Sequence, residues 1–282
     1  MNAQSPSTLP IVSRINTELR PALERLAPEL ASVLPAHISP EKMIRMVITA
    51  VQDTPSLMDC ERTSLFRAVM TAAVLGLEVD AKIGLAYILP FYDRGTKRAQ
   101  FIPGYKGYIT LAQNAGFYVS GNIVRAGDDF EFEFGTSQFI RHRVKDPFGN
   151  NRGEIVGAYA IAKNPQGVEI FKVMGLEDIF KARAASASYK AYAKDPSKKT
   201  PWMDNPAPMY IKTAIRALAP QLPTMVQRAA AIETHHETTG HAAYIEKDEG
   251  SGAIDVVFEK EITAPQGVYD TSTQPDLMSE LK

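Results

Sequence analysis

The 282-residue chain holds one cysteine (Cys60), one tryptophan (Trp202) and five histidines. A lone cysteine closes no internal disulfide, which excludes a disulfide-stapled scaffold. Cys60 lies between Asp59 and Glu61, neighbours that raise a thiol pKa rather than activate the sulfur. Apolar runs such as AVMTAAVLGL at 68–77 are too short to span a bilayer. No basic segment followed by an apolar stretch opens the chain, so no secretory signal is visible and a soluble protein of a reducing bacterial cytoplasm is expected. No Gly-Lys dipeptide occurs, which argues against a P-loop ATPase, and neither a G-x-G-x-x-G nor a G-x-S-x-G motif is present.

Net charge is also scarce, at −1, which on its face argues against a polyanionic partner. The charge is unevenly spread. Residues 1–36 are neutral, 37–228 carry 25 basic and 18 acidic groups, and 229–282 carry three basic and 11 acidic groups. A body of +7 followed by a tail of −8 suits a nucleic-acid or membrane surface on the body, or a soluble protein with an ordinary acidic tail. At 45% hydrophobic residues the chain can bury a sizeable core.

Periodicity sets out the elements. Residues 1–10 are polar and read as disordered, and 15–34 read as helix interrupted by Pro21 and Pro28. Ser39-Pro40 opens a helix with Met43, Ile44, Val47, Ile48 and Val51 on one face. A second helix, about 63–75, stops at Gly76. A hairpin around Arg94-Gly95, a short helix at 105–115 and strand-like runs to 174 follow. Helices return at 176–187, 207–218 and 222–234. The fold class is α+β: N-terminal helices, a central antiparallel β-meander, then C-terminal helices and a flexible acidic tail. The chain divides into an arm (1–36), a core (37–236) and the tail (237–282), in which 254–258 is the candidate for a short ordered patch.

Two constellations invite enzyme chemistry. HHETTGH at 235–241 spaces His236 and His241 five apart, which does not place both on one helix face for a metal. Asp129, Glu131 and Glu133 share one face of a strand and suggest a metal-dependent nuclease. A solvated face backed by inward Phe130, Phe132 and Phe134 explains that alternation equally well.

The basic excess concentrates at 179–228, with nine cations against Asp195 and Asp204. Lys181, Arg183, Lys190, Lys198 and Lys199 alternate with Tyr189, Tyr192 and Trp202. Cations neutralise phosphates and rings stack on bases, which suits single strands; the alternative is a solvated linker whose aromatics pack into the body. In MYIKTAIRALAP, Lys212 and Arg216 are i, i+4 beside an apolar stripe. No acid at 208 or 220 pairs them, so they are expected to be free for an anion.

Four blocks in order carry a family resemblance: LGLEVDAKIGLAYILPF, FIPGYKGYITLAQNAG, the basic stretch ending in PW, and M-x-x-K-T-A-I-R closing in LP. Over about residues 33–228 the chain resembles the RecT family of phage and prophage single-strand DNA annealing proteins. The resemblance implies an ATP-independent recombinase, phage- or prophage-encoded, that coats single-stranded DNA and anneals complementary strands as a ring or helical homo-oligomer. It implies a strand–strand–strand–helix core lining a DNA groove and no required cofactor, with magnesium in annealing left open. Tyr105 and Lys106 of GYKG, with Lys212 and Arg216, are the carried-over DNA contacts. Ile211 and Ala217 stand where family members often carry further cations, so this groove is expected to be less basic.

On this reading Lys106, Lys181, Arg183, Lys190, Lys198, Lys199, Lys212 and Arg216 contact phosphates, while Tyr105, Tyr189 and Trp202 stack or wall the groove. The apolar helices at 40–52 and 61–76 pack between protomers or form the core. The tail binds a partner, such as a cognate exonuclease or the host single-strand-binding protein, or competes electrostatically for the groove.

Overall fold

In the computed structural model, residues 10–148, 152–247 and 254–258 are described. The arm is helical: α1 (Ile11–Arg14), a π turn (Ile15–Leu19), α2 (Arg20–Arg25) and α3 (Ala27–Val33). Pro21 and Pro28 each fall in the first turn of α2 and α3. There the missing N–H costs least, and the wide turn before Pro21 accommodates its ring. Ile15, Leu19, Leu23 and Leu30 therefore stay on one face, all buried. That face covers the next helices.

In α4 (Pro40–Asp53), the Ser39 hydroxyl accepts the Lys42 N–H at 3.2 Å, the cap that the sequence announces. Its five periodic apolar residues are buried, as are Leu65, Val69, Ala72 and Leu75 of α5 (Arg62–Leu75). The arm packs on both helices, so their apolar faces lie in this chain's own core. Cys60 sits just before α5 with its thiol pushed up to about 11, by burial first and only then by Asp59.

β1 (Ala86–Asp93) and β2 (Thr96–Pro103) form the expected hairpin. Arg94 and Gly95 both take positive φ, the two-residue turn whose twist matches the strands. After α6 (Tyr105–Asn114) come β3 (Tyr118–Arg125), β4 (Asp129–Glu133), β5 (Phe139–Arg143), β6 (Ile155–Lys163) and β7 (Glu169–Gly175). All pairings are antiparallel, but the strands divide among small sheets. β6 is central between β3 and β7, while β4–β5 is a hairpin inserted between sequential partners. A register shift at Val124/Arg125 bends the chain out of the sheet. Asp128 then fixes the exit: its carboxylate accepts the Arg125 N–H (3.0 Å), two Arg152 bonds (2.9 and 2.7 Å) and pairs with His142 (3.0 Å).

Helices α7 (Leu176–Ala185), α8 (Ala187–Lys194), α9 (Pro201–Asp204), α10 (Pro206–Leu218) and α11 (Thr224–Thr239) follow. α10 lies across β3, β6 and β7, giving the strand–strand–strand–helix unit. Gly121 of β3 permits this closeness, since a Cβ there would meet Ile211 at 2.9 Å. The expected single helix at 176–187 breaks at Ser186, whose backbone is extended, and α8 makes the stretch to Lys194 helical rather than a linker. The expected core boundary at 236 falls inside α11. β8 (Ala243–Lys247) and β9 (Ile254–Phe258) pair beyond it, with Ala243, Tyr244 and Ile245 buried against α5 and α11. Residues 1–9 and 259–282, where the remaining expectations for the termini fall, lie outside the described residues. Among the described residues no helix is long and apolar enough to cross a membrane.

Candidate nucleic-acid interface

The start of α6 is pressed onto the chain before β1. A Cβ on Gly104 would lie 2.1 Å from the Gly84 carbonyl oxygen, and one on Gly107 would lie 2.2 Å from that of Leu85. Only glycine permits this, and the Gly104 N–H donates to Leu85 O at 2.8 Å. The glycines of GYKG are thus packing residues that present Tyr105 and Lys106. Tyr105 is half-buried, and Lys106 is exposed with its Nζ donating to Ile83 O at 3.3 Å. Gly107→Ala is expected to cost about 1–3 kcal/mol, the range for forcing atoms into a packed site, read as a lowered Tm.

Opposite α6, Lys212 and Arg216 are not free. α11 offers Glu233 and Glu237 at the same i, i+4 spacing. Lys212 Nζ lies 2.5 Å from Glu233 Oε1; Arg216 Nη1 lies 2.5 Å from Glu237 Oε2 and 3.8 Å from Glu233 Oε1. Tyr108 from α6 donates to Glu233 Oε2 at 2.6 Å. The partners come from the neighbouring helix rather than from positions 208 or 220.

Burial pushes the Glu233 carboxyl up, but Lys212, Arg216 and the bonds from Lys212 and Tyr108 outweigh it and hold its pKa below the usual range. Glu237 goes the other way: burial dominates Arg216's pull, and its pKa is raised. The Tyr108 phenol is pushed far up, by burial first and then by Glu233.

Between these walls lies a cleft of about 580 Å³. It is lined by the 81–84 loop, Gly104, Tyr105 and Lys106, the α7–α8 junction, and Lys212, Glu233, His236 and Glu237. Tyr105, Lys106 and Lys212, read separately from the sequence, converge here. Arg216 is not among the lining residues; Glu237, its ion-pair partner, is.

The other sequence candidates lie differently. Trp202 is 2% exposed and packs beside Tyr210, so it offers no face to a base; in place of an expected stacking role it belongs to the core. Arg183 is held by rings, 4.1 Å from the Phe180 centroid and 4.8 Å from that of Tyr189, and Tyr189 is half-buried. Lys181 is exposed but paired with Glu177 (2.8 Å) and Asp178 (3.8 Å). Lys190, Lys198 and Lys199 are exposed.

The acidic strand is a solvated, paired face. Asp129 pairs with Lys145 (2.6 Å) and Glu131 with Arg141 (3.8 Å). Among the described residues no three His, Cys, Asp or Glu side chains converge as metal ligands. Phe130 stacks on Tyr159 and Phe134 on Phe171, yet Phe132 and Phe134 remain 42% and 55% exposed rather than packed inward. His236 and His241 part company: the first packs edge-on to Phe91, and the second pairs with Asp93 at 2.8 Å.

Sequence reasoning missed Glu233, Glu237 and Tyr108. The signal was the repeated spacing: two cations at i, i+4 on one helix and two carboxylates at i, i+4 on the next.

The sequence matches the RecT family profile over residues 41–251. It is 34% identical to Protein RecT of Escherichia coli (strain K12) over 219 residues, covering 75% of this chain and 77% of that protein. It is also 37% identical to the uncharacterized protein YqaK of Bacillus subtilis (strain 168) over 78 residues, covering 28% of this chain and 26% of that one. With the four sequence blocks now placed around one cleft and the match spanning most of the core, the chain belongs to the RecT family of recombination and single-strand annealing proteins.

Proposed function

We propose that this protein holds single-stranded DNA in the α6–α10–α11 cleft and anneals it to a complementary strand without ATP. The observation that carries the reading is the convergence of Tyr105, Lys106 and Lys212 on one cleft. A half-buried ring beside two cations suits a strand gripped by its backbone, with bases left to pair. Annealing is downhill once strands pair, so the protein supplies alignment rather than a covalent reaction, and no cofactor is required. Exposed Lys190, Lys198 and Lys199 supply further phosphate contacts. The protein acts in the bacterial cytoplasm as a ring or helical oligomer, and the acidic tail engages an exonuclease or single-strand-binding protein.

The test is annealing of two complementary oligonucleotides without ATP, with and without magnesium. Pairing without strand shortening supports the proposal; shortening would replace it with a nuclease. Mass measurement with and without DNA tests the oligomer, and a strict monomer on DNA removes it. Lys106→Ala is expected to weaken binding alike for all sequences and to reduce the salt slope by about 0.7, the value for one phosphate contact on a single strand. An unchanged slope in a salt titration would place Lys106 outside the interface.

A further inference from the structure

The cleft presents a contradiction in charge. Lys212 in its lining and Arg216 behind it would serve a phosphate backbone, yet two carboxylates already neutralise them. The carboxylates are not equivalent. Glu233 is 6% exposed and anchored by three partners: Lys212, Arg216 and the Tyr108 hydroxyl. Glu237 is 14% exposed, and among the described residues its one ion pair is with Arg216. Glu237 lines the cleft, whereas Arg216 does not.

We propose that Glu237 is a built-in competitor for the DNA backbone: it occupies Arg216 in the DNA-free protein, and a phosphate engages Arg216 by displacing it. The inference rests on the reading of the cleft as the single-strand site. A guanidinium pairs with carboxylate and phosphate through the same planar donors, so one anion replaces the other without leaving the cation bare. Glu233 stays in place through Tyr108 and keeps Lys212 positioned at the cleft wall. Burial disfavours the charge on Glu237, which lowers the cost of releasing it to water.

The exchange has a signature in affinity rather than in salt slope. The phosphate that reaches Arg216 releases counterions from the DNA whether or not a carboxylate is displaced, and one carboxylate alone in water condenses no cation, so the slope stays the same. The displacement costs the Glu237–Arg216 ion pair, and without the carboxylate that cost disappears: binding tightens by up to about fivefold, the worth of one partly exposed ion pair.

The experiment uses the full-length protein and a fluorescent oligothymidylate titrated over a salt series. Glu237→Gln, which keeps the shape and a hydrogen-bond acceptor, is expected to bind up to about fivefold tighter with the salt slope unchanged. Glu237→Ala, a second uncharged replacement, is expected to do the same. In an Arg216→Gln background, Glu237→Gln should give no tightening, since the competitor then has nothing to guard. Unchanged or weaker binding by both uncharged variants overturns the proposal and makes Glu237 a positioning residue for Arg216. Equal tightening in both backgrounds also overturns it, in favour of long-range repulsion. Melting temperatures confirm that each variant is folded. Failure of the wild-type protein to bind the oligonucleotide would instead remove the cleft reading, and the inference with it.

Discussion

Lys212→Ala lowers the unfolding free energy by about 3 kcal/mol, the low end of the range for severing a buried ion pair, because Glu233 keeps Arg216 and the Tyr108 hydroxyl. Glu233 is the group left behind, 6% exposed and holding Tyr108 from a third helix. Urea denaturation reads the loss directly. The double replacement Lys212→Met with Glu233→Leu removes both charges and recovers part of it, the remainder being the cost of leaving the buried Tyr108 hydroxyl without its acceptor. A loss under 1 kcal/mol for the single variant would mean that the ladder of Lys212 and Arg216 against Glu233 and Glu237 is solvated in solution. The result matters for the interface as well: DNA binding lost by Lys212→Ala reports the fold before it reports the cleft. Lys106, exposed and outside the ladder, is the cleaner probe.

Asp128→Ala is expected to cost about 2 kcal/mol, since several part-buried hydrogen bonds to a charged acceptor are lost together. Its carboxylate is covered by its own partners, receiving Arg152 twice and the Arg125 N–H and pairing with His142. The Arg152 hydrogen bonds hold the Asp128 carboxyl far below the usual range. A carboxylate with a depressed folded pKa stabilises above its unfolded value, near 3.9, and that contribution is lost as pH falls. Wild-type stability should therefore drop in acid below about pH 4, and the drop should be shallower in Asp128→Asn. Parallel acid titrations of the two proteins check this; identical acid limbs would rule Asp128 out as the group responsible. The β4–β5 hairpin is the element that should loosen first, because Asp128 and His142 sit at its base.

Local chemistry made much of the fold legible. The Ser39-Pro40 cap, the Arg94-Gly95 turn and the Gly76 stop each act within a few residues, and each stands where the pattern puts it. Pairing partners were less legible. The strand runs suggest a meander, but which strand neighbours which depends on the bend at Val124/Arg125 and on Asp128's contact with Arg152, 24 residues away. The site shows the same division. The two ladder cations are visible from helical spacing alone, while their neutralisation comes from another helix and needs the packing of α10, α11 and α6 together. Trp202 illustrates the limit for aromatics, because a ring between lysines reads the same whether it faces solvent or the core.

The backbone contact beneath the cleft has a consequence for how such a surface can change. Gly104 and Gly107 meet the 84–85 carbonyls with no side chain between them, and α6 is tied to α11 through Tyr108. The seat of Tyr105 and Lys106 is therefore set by main chain. Replacing either side chain alters the lining's size or charge and leaves its mounting untouched. Moving the mounting means parting two backbone segments at once. The cleft has a fixed gauge on this side and an adjustable surface, so its grip on a strand can be retuned residue by residue without refolding the protein that carries it.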